Sequence, residues 1–219
     1  WAGIAINITA LVYFKYADFY IPYFVYYLKR AGITLEATTL IFVLPVGLSF
    51  FIVQAIAYLL DINRGVATPT KNWVSFALFM VYFPKLVSGP IERSRTLLAQ
   101  LEKPRQTRKT VVGKGVVLIL TGLVRKLVIA DLLSSLIPDD LFSSPGSYNA
   151  AHLGLWLLVY AIVIYNDFAG YTAIVRGVSV WFGIELSAIF NTPYFARNFS
   201  EFWQRWHITL SDWLRDYIF

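Results

Sequence analysis

The sequence predicts an all-α protein: a polytopic bundle of transmembrane helices, some of them broken or re-entrant. Three observations carry this expectation. Hydrophobic residues make up 58% of the 219 positions and charged residues 15%, against roughly 45–50% and about 25% in an ordinary soluble domain. A soluble domain of this size has no interior large enough to hide that excess; mean hydropathy is +0.59. Residues 37–60 and 141–166 carry no Asp, Glu, Lys or Arg, and each exceeds the roughly 20 helical residues that cross a bilayer core of about 30 Å. Finally, Pro45, Gly47, Pro84, Gly89 and Pro90 interrupt apolar stretches, which breaks helices where protein can cover the loosened backbone.

The elements follow in order. Residues 1–14 are apolar and uncharged and begin with Trp1. With no basic segment ahead of them they resemble the end of a span and not a signal peptide. The aromatics from Tyr13 to Tyr27 suit an interfacial belt. Residues 37–60 form the first full span. Residues 72–84, uncharged but only 13 long, are expected to make a half-span ending at Pro84. Ten of the 19 Lys and Arg lie between Lys85 and Lys126, facing only Glu92 and Glu102. The positive-inside rule puts the 85–114 loop in the cytoplasm. Residues 111–133 and 168–196 are apolar but carry Lys114, Arg125, Lys126 and Asp131, and Arg176 and Glu185. Such segments belong inside a bundle or at the interface. Residues 138–147 are a polar loop, and 141–166 form the second full span, ending at Asn166 and Asp167. Neither end carries a clear boundary signal, so the chain is expected to be an internal piece of a larger protein.

Several classes of chemistry are excluded. Without cysteine there is no thiol nucleophile, disulfide or Cys-ligated metal. His152 and His207 lie 55 residues apart with no zinc-binding spacing; no metal is expected. The net charge of +6 in so apolar a chain points to cytoplasmic loops and anionic membrane lipid, not nucleic acid.

Polar residues among apolar spans are the functional candidates, because burying one costs several kcal/mol unless it is paired. The densest group is the run RNFSEFWQRWHITLSDWLRDY at 197–217. Asn198 or Ser200 can cap a helix there. On one continuous helix Ser200, Gln204, His207, Ser211 and Arg215 would share a polar stripe, with steps of 4, 3, 4 and 4. Glu201 and Arg205 are spaced for an i,i+4 ion pair and Asp212 and Arg215 for an i,i+3 pair. His207 is the candidate for chemistry: an imidazole titrating near pH 6.5 accepts a proton at neutral pH. His152 is expected at the interface, without a catalytic part. A second group, Tyr165-Asn166-Asp167 followed by Gly170, is either a polar cavity wall or a helix end whose carboxylate pairs with a cation such as Arg176.

These residues carry a family resemblance. The run at 197–217 resembles the signature of the membrane-bound O-acyltransferases, most of all the bacterial branch that acetylates exported polysaccharides such as alginate. Four further pieces are similar in order and spacing: LPVGLSFF at 44–51 with YLLD at 58–61 and Arg64-Gly65; FPKLVSGPI at 83–91; YNDFAGYTAIVRGVSVWFG at 165–183; and FNTPY at 190–194. Ala169 stands where a serine is common and Ala173 where an acidic residue is common.

The resemblance implies a membrane-embedded enzyme of the bacterial inner membrane that moves an acetyl or acyl group to a hydroxyl. The donor would be acetyl-CoA or a thioester carrier on the cytoplasmic side. The acceptor would be exported polysaccharide or a periplasmic or extracellular acyltransferase partner. No bound cofactor is implied. His207 is the histidine of the RWH motif and the catalytic residue expected here; the resemblance implies a second family histidine, often taken as the catalytic base, some tens of residues beyond Phe219. Gln204, Ser211, Asn166, Asp167, Arg205 and Arg215 are the expected substrate-binding residues; the arginines would meet developing negative charge unless their carboxylate partners occupy them. The alternatives are D-alanyl transfer toward teichoic acid, acylation of lipid or protein, a transporter subunit or a non-catalytic scaffold.

Overall fold

A computed structural model describes residues 1–33, 45, 47–104 and 109–219. It is helical, with no strand among the described residues, so the all-α expectation holds. The helices are α1 (Ala2–Lys15), α2 (Ala17–Arg30), α3 (Leu48–Asn63), α4 (Trp73–Val81), α5 (Ser94–Glu102), α6 (Lys109–Leu123), α7 (Leu132–Ser134), α8 (Ala150–Trp181), α9 (Phe199–Arg205) and α10 (Ile208–Tyr217). A π-helical segment, Val124–Asp131, joins α6 to α7. The chain divides into two compact units, Trp1–Leu98 and Ala99–Phe219. The N-terminal part of the predicted 37–60 span, residues 37–44 and 46, lies outside the described residues, as do Arg105 and Arg108 of the basic run.

In the first unit α1 and α4 pack on α3. A short apolar helix does form where the half-span is expected: Asn72 caps α4, its Oδ1 accepting from the Val74 and Ser75 amides at 3.0 and 3.2 Å. The helix ends at Val81, and a 3-10 turn, Phe83–Lys85, follows. A helix that stops in apolar surroundings leaves its last carbonyls without intrahelical partners. Gln54 of α3 answers this: its Nε2 donates to the Phe79 carbonyl at 2.5 Å. Its Oε1 accepts from Lys85 Nζ, and that ammonium also lies 5.3 Å from the centre of the Phe79 ring. Gln54 and Lys85 are 4% and 3% exposed, so the α4 end, the turn and α3 are joined by buried polar contacts.

In the second unit α6 and α8 run antiparallel along a seam of glycines. A Cβ on Gly122 would lie 2.6 Å from the Gly170 carbonyl oxygen, and one on Gly170 would lie 2.8 Å from that of Gly122. Gly115 and Gly177 repeat the arrangement at 2.9 and 2.7 Å. On each helix the pair is seven residues apart, two turns along one face. Four mid-helix glycines cost about 1 kcal/mol each relative to alanine; the backbone approach they permit is the offset, as in helix pairs packed through small residues within membranes. Beyond the seam Trp181 Nε1 donates to the Val112 carbonyl at 3.2 Å, and Lys114 pairs with Glu185 at 2.5 Å.

The second predicted span is displaced. Its first residues, 141–149, are loop and turn, and the helix begins at Ala150, where Asn149 caps it. It does not end at Asn166 and Asp167 but continues to Trp181. At 32 residues α8 is about 48 Å long. Among the described residues it is the one helix long and apolar enough to cross a membrane; α1, α3 and Trp73–Lys85 are shorter apolar helices. The reason for the difference is Lys126 of the π-helical segment. It meets Asp167 at 2.6 Å and so lets a carboxylate sit within the helix.

Candidate functional site

The site is built where α9 gives way to α10. Asn198 caps α9, accepting from the Glu201 amide at 2.8 Å. Glu201 takes the Arg197 amide at 2.9 Å and pairs with Arg197 and Arg205 at 3.1 and 2.6 Å. These contacts, the Arg197 amide foremost, hold its carboxyl down to a pKa of about 2. The predicted single helix is not formed: it breaks at Trp206 and His207, and His207 takes the left-handed conformation, φ 43° and ψ 52°. No glycine or proline marks the break. Two backbone hydrogen bonds impose it: the Asn191 amide donates to the Arg205 carbonyl at 2.9 Å, and the Ile208 amide to the Ile189 carbonyl at 2.8 Å. Chain from 189–191 thus grips both sides of His207. A left-handed residue other than glycine costs about 1–2 kcal/mol, and Thr192, beside the same grip, is left-handed as well, with φ 44°.

The break turns His207 away from the stripe it was expected to share. Its ring lies edge to face with Phe168 of α8, centroids 5.2 Å apart. Phe190 stands edge to face with Phe168, Trp206 and Tyr165, at 5.2, 5.0 and 5.4 Å. The His207 Nδ1 atom is buried and has no hydrogen-bond partner among the described residues. Burial lowers the imidazole pKa from its ordinary 6.5. At neutral pH the ring is therefore the neutral, proton-accepting form.

The remaining stripe does converge. Ser200, Gln204, Ser211 and Arg215, with Trp203, Ile208 and Asp212, line an open cavity of about 370 Å³. His207 is not among its lining residues. Arg215 is held at its rim by Asp212 at 2.9 Å and Asp216 at 3.2 Å, and Ser211 Oγ donates to the Trp206 carbonyl at 3.3 Å. Arg205 lies elsewhere: besides Glu201 it donates to Thr192 Oγ1 at 3.2 Å, bracing the grip on His207.

The second expected group is also placed. Asp167 pairs with Lys126 and not with Arg176, whose Nε donates to the Leu186 carbonyl at 3.1 Å. Asn166 Nδ2 donates back to the Ile162 carbonyl at 3.0 Å. Lys126 also meets Asp131 at 2.8 Å, five residues on, a spacing the π-helical i→i+5 repeat serves. Sequence reasoning missed Phe168 as the ring against His207 and Phe190 and Tyr165 as the rings packed behind it, although the aromatic content of 165–171 and 190–194 was a signal. His152 lies exposed in the first turn of α8. Among the described residues no cluster of metal-ligating side chains occurs.

The described residues thus form helices, one of them apolar and long enough to cross a membrane, with a half-buried histidine at the α9–α10 break and a polar cavity lined by residues on either side of it in sequence. Residues 63–219 match the family model of MBOAT, the membrane-bound O-acyltransferase family, and the chain belongs to that family. It is 35% identical to the probable alginate O-acetylase AlgI of Azotobacter vinelandii, over 99% of this chain and 43% of that protein. It is 30% identical to the peptidoglycan O-acetyltransferase of Helicobacter pylori, over 99% of this chain and 45% of that protein. To the teichoic acid D-alanyltransferase of Streptococcus thermophilus it is 30% identical, over 79% and 43%. The chain thus spans less than half the length of the curated relatives it matches.

Proposed function

We propose that the whole protein is a multi-pass O-acyltransferase of the bacterial cytoplasmic membrane. It moves an acetyl or other acyl group from a thioester donor on the cytoplasmic side to a hydroxyl on exported polysaccharide or on a relay partner. The observation that carries this reading is His207: a half-buried imidazole, poised neutral, on a strained backbone in the family's motif. The exposed Leu155, Leu157, Leu158 and Ile162 of α8 support placement against lipid or further helices, and the basic run at 85–126 supports a cytoplasmic side for the anionic donor.

The chemistry is acyl transfer. The acceptor oxygen bonds to the thioester carbonyl carbon while its proton passes to the neutral His207 ring. The carbon–sulfur bond then breaks, and the departing thiolate takes the proton back from the imidazolium. A dry, aromatic surround strengthens each of these electrostatic steps. In the polar cavity Gln204 and Arg215 offer donors to the acceptor's oxygens, and Ser211 Oγ, its proton given to the Trp206 carbonyl, offers an acceptor to the acceptor's hydroxyls. Arg205, Asn166 and Asp167, engaged by their neighbours, are assigned to holding the site together.

The test is transfer by membranes carrying the full-length protein, supplied with acetyl-CoA labelled in the acetyl group. Base-labile label on polysaccharide or on a partner protein is the expected result. The D-alanyltransferase relative favours a second reading, in which a D-alanyl thioester carrier is the donor. Label transferred from that carrier and not from acetyl-CoA would select it.

A further inference from the structure

The orientation of the His207 ring is not set by a hydrogen bond at Nδ1, since none is made among the described residues. The ring packs edge to face on Phe168, and that packing has a polar anchor at its far end. In the π-helical segment Arg125 reaches across to α8, where its Nη1 donates to the Tyr165 hydroxyl at 3.2 Å and its Cζ lies 5.4 Å from the ring centre. The root of Arg125 is fixed by the glycine seam: a Cβ on Gly170 would lie 2.9 Å from the Lys126 amide nitrogen and 3.1 Å from Arg125 Cβ. From Tyr165 the contacts run to Phe190 at 5.4 Å and to Trp206 at 6.3 Å. Phe190 touches Phe168, the ring that carries His207. Trp206 immediately precedes the left-handed histidine. Every link belongs to the second unit, and the π-helical widening, a feature frequent at functional sites, lies at its start.

We infer that Arg125 is a positioning residue: by holding the Tyr165 hydroxyl it locks the aromatic stack that aims the His207 imidazole. This rests on the assignment of proton transfer to His207. A ring with no hydrogen bond at Nδ1 depends the more on its packing for orientation. Misplacement of a reacting group by about 1 Å costs up to about 100-fold in rate, so losing one anchor several contacts away is expected to cost less.

The experiment uses the full-length protein in membranes, with Arg125→Gln, Tyr165→Phe, the double variant, Arg125→Lys and His207→Asn. Tyr165→Phe removes one oxygen and keeps every ring contact, so it remains informative if Arg125→Gln does not accumulate. Arg125→Gln and Tyr165→Phe are each expected to lower kcat about tenfold with KM for the donor within about twofold. The double variant should be no slower than the slower single one, because both remove the same link. Arg125→Lys, which keeps a donor and a charge, should recover most of kcat. Parental kcat in Tyr165→Phe, or losses that multiply in the double variant, would overturn the inference. If His207→Asn abolishes transfer while Arg125→Gln and Tyr165→Phe run at parental kcat, the inference fails and the assignment of His207 survives. If His207→Asn stays active, both fail.

Discussion

In the first unit, Gln54 and Lys85 are buried and matched: the amide spends its nitrogen on the Phe79 carbonyl and its oxygen on the Lys85 ammonium. In the second unit, His207 is half-buried with one atom unmatched: its buried Nδ1 meets no donor or acceptor among the described residues, and its backbone is left-handed. Both regions place polar groups among aromatic and aliphatic side chains, and desolvation makes each costly. The difference separates two uses of a buried polar group. A satisfied cluster at the end of a half-span closes the backbone's hydrogen-bond account and holds a turn. An imidazole whose Nδ1 is buried without a partner, on a strained residue, has hydrogen-bonding capacity left for a ligand.

Breaking the first region should therefore cost stability and leave chemistry alone. Gln54→Leu strands the Phe79 carbonyl and removes a hydrogen bond from Lys85, leaving Glu92 as its charge partner. A loss of about 3 kcal/mol is expected, read as a lowered midpoint of thermal unfolding in detergent, with transfer per folded molecule unchanged. A comparable loss of activity at retained stability would assign the Gln54–Lys85 pair a chemical part.

The glycine seam sharpens the comparison, since it supports the second region without touching His207. Gly122→Ala puts a methyl group 2.6 Å from the Gly170 carbonyl oxygen, and the helices must separate. Overpacking of this kind costs about 1–3 kcal/mol. The unfolding midpoint should fall, and cross-linking between the two helices should report a wider seam. An unchanged midpoint would mean that the backbones are not in contact there.

The smallest effect is one of pH. Because burial depresses the pKa of His207, the folded state favours the neutral ring. Its contribution to stability is complete above the unfolded value of 6.5 and is lost as pH falls below it toward the folded pKa. The acid limb of kcat/KM should have its midpoint below 6.5, and the same limb should be missing from the residual activity of His207→Asn. A limb at or above 6.5 would point to a titrating group other than a desolvated imidazole.

Much of this architecture was legible in local sequence. Composition predicted helices, Asn72 and Pro84 marked the half-span, and the spacings of Glu201 with Arg205 and of Asp212 with Arg215 gave ion pairs that form. The misses have nonlocal causes. The run through His207 reads as one helix because its break comes from residues 189–191, bonded to it from outside. Asn166 and Asp167 read as the end of a span because Lys126, about 40 positions earlier, could not be known to lie beside them. The π-helical turn left no mark in composition. The glycine seam did: two pairs spaced by seven in adjacent apolar segments were a visible sign of close helix packing.

The most direct measurement is acyl transfer by the full-length protein carrying His207→Asn, per mole of folded enzyme, with the unfolding midpoint recorded alongside. Asparagine is the suitable replacement because it tolerates the left-handed backbone, so the break between α9 and α10 survives while the titrating ring is lost. General acid–base catalysis is worth about 10²–10⁴-fold. A fall of about 100-fold or more, at a midpoint within a few degrees of the parent, is the predicted result. Activity within tenfold of the parent at that same midpoint would contradict it.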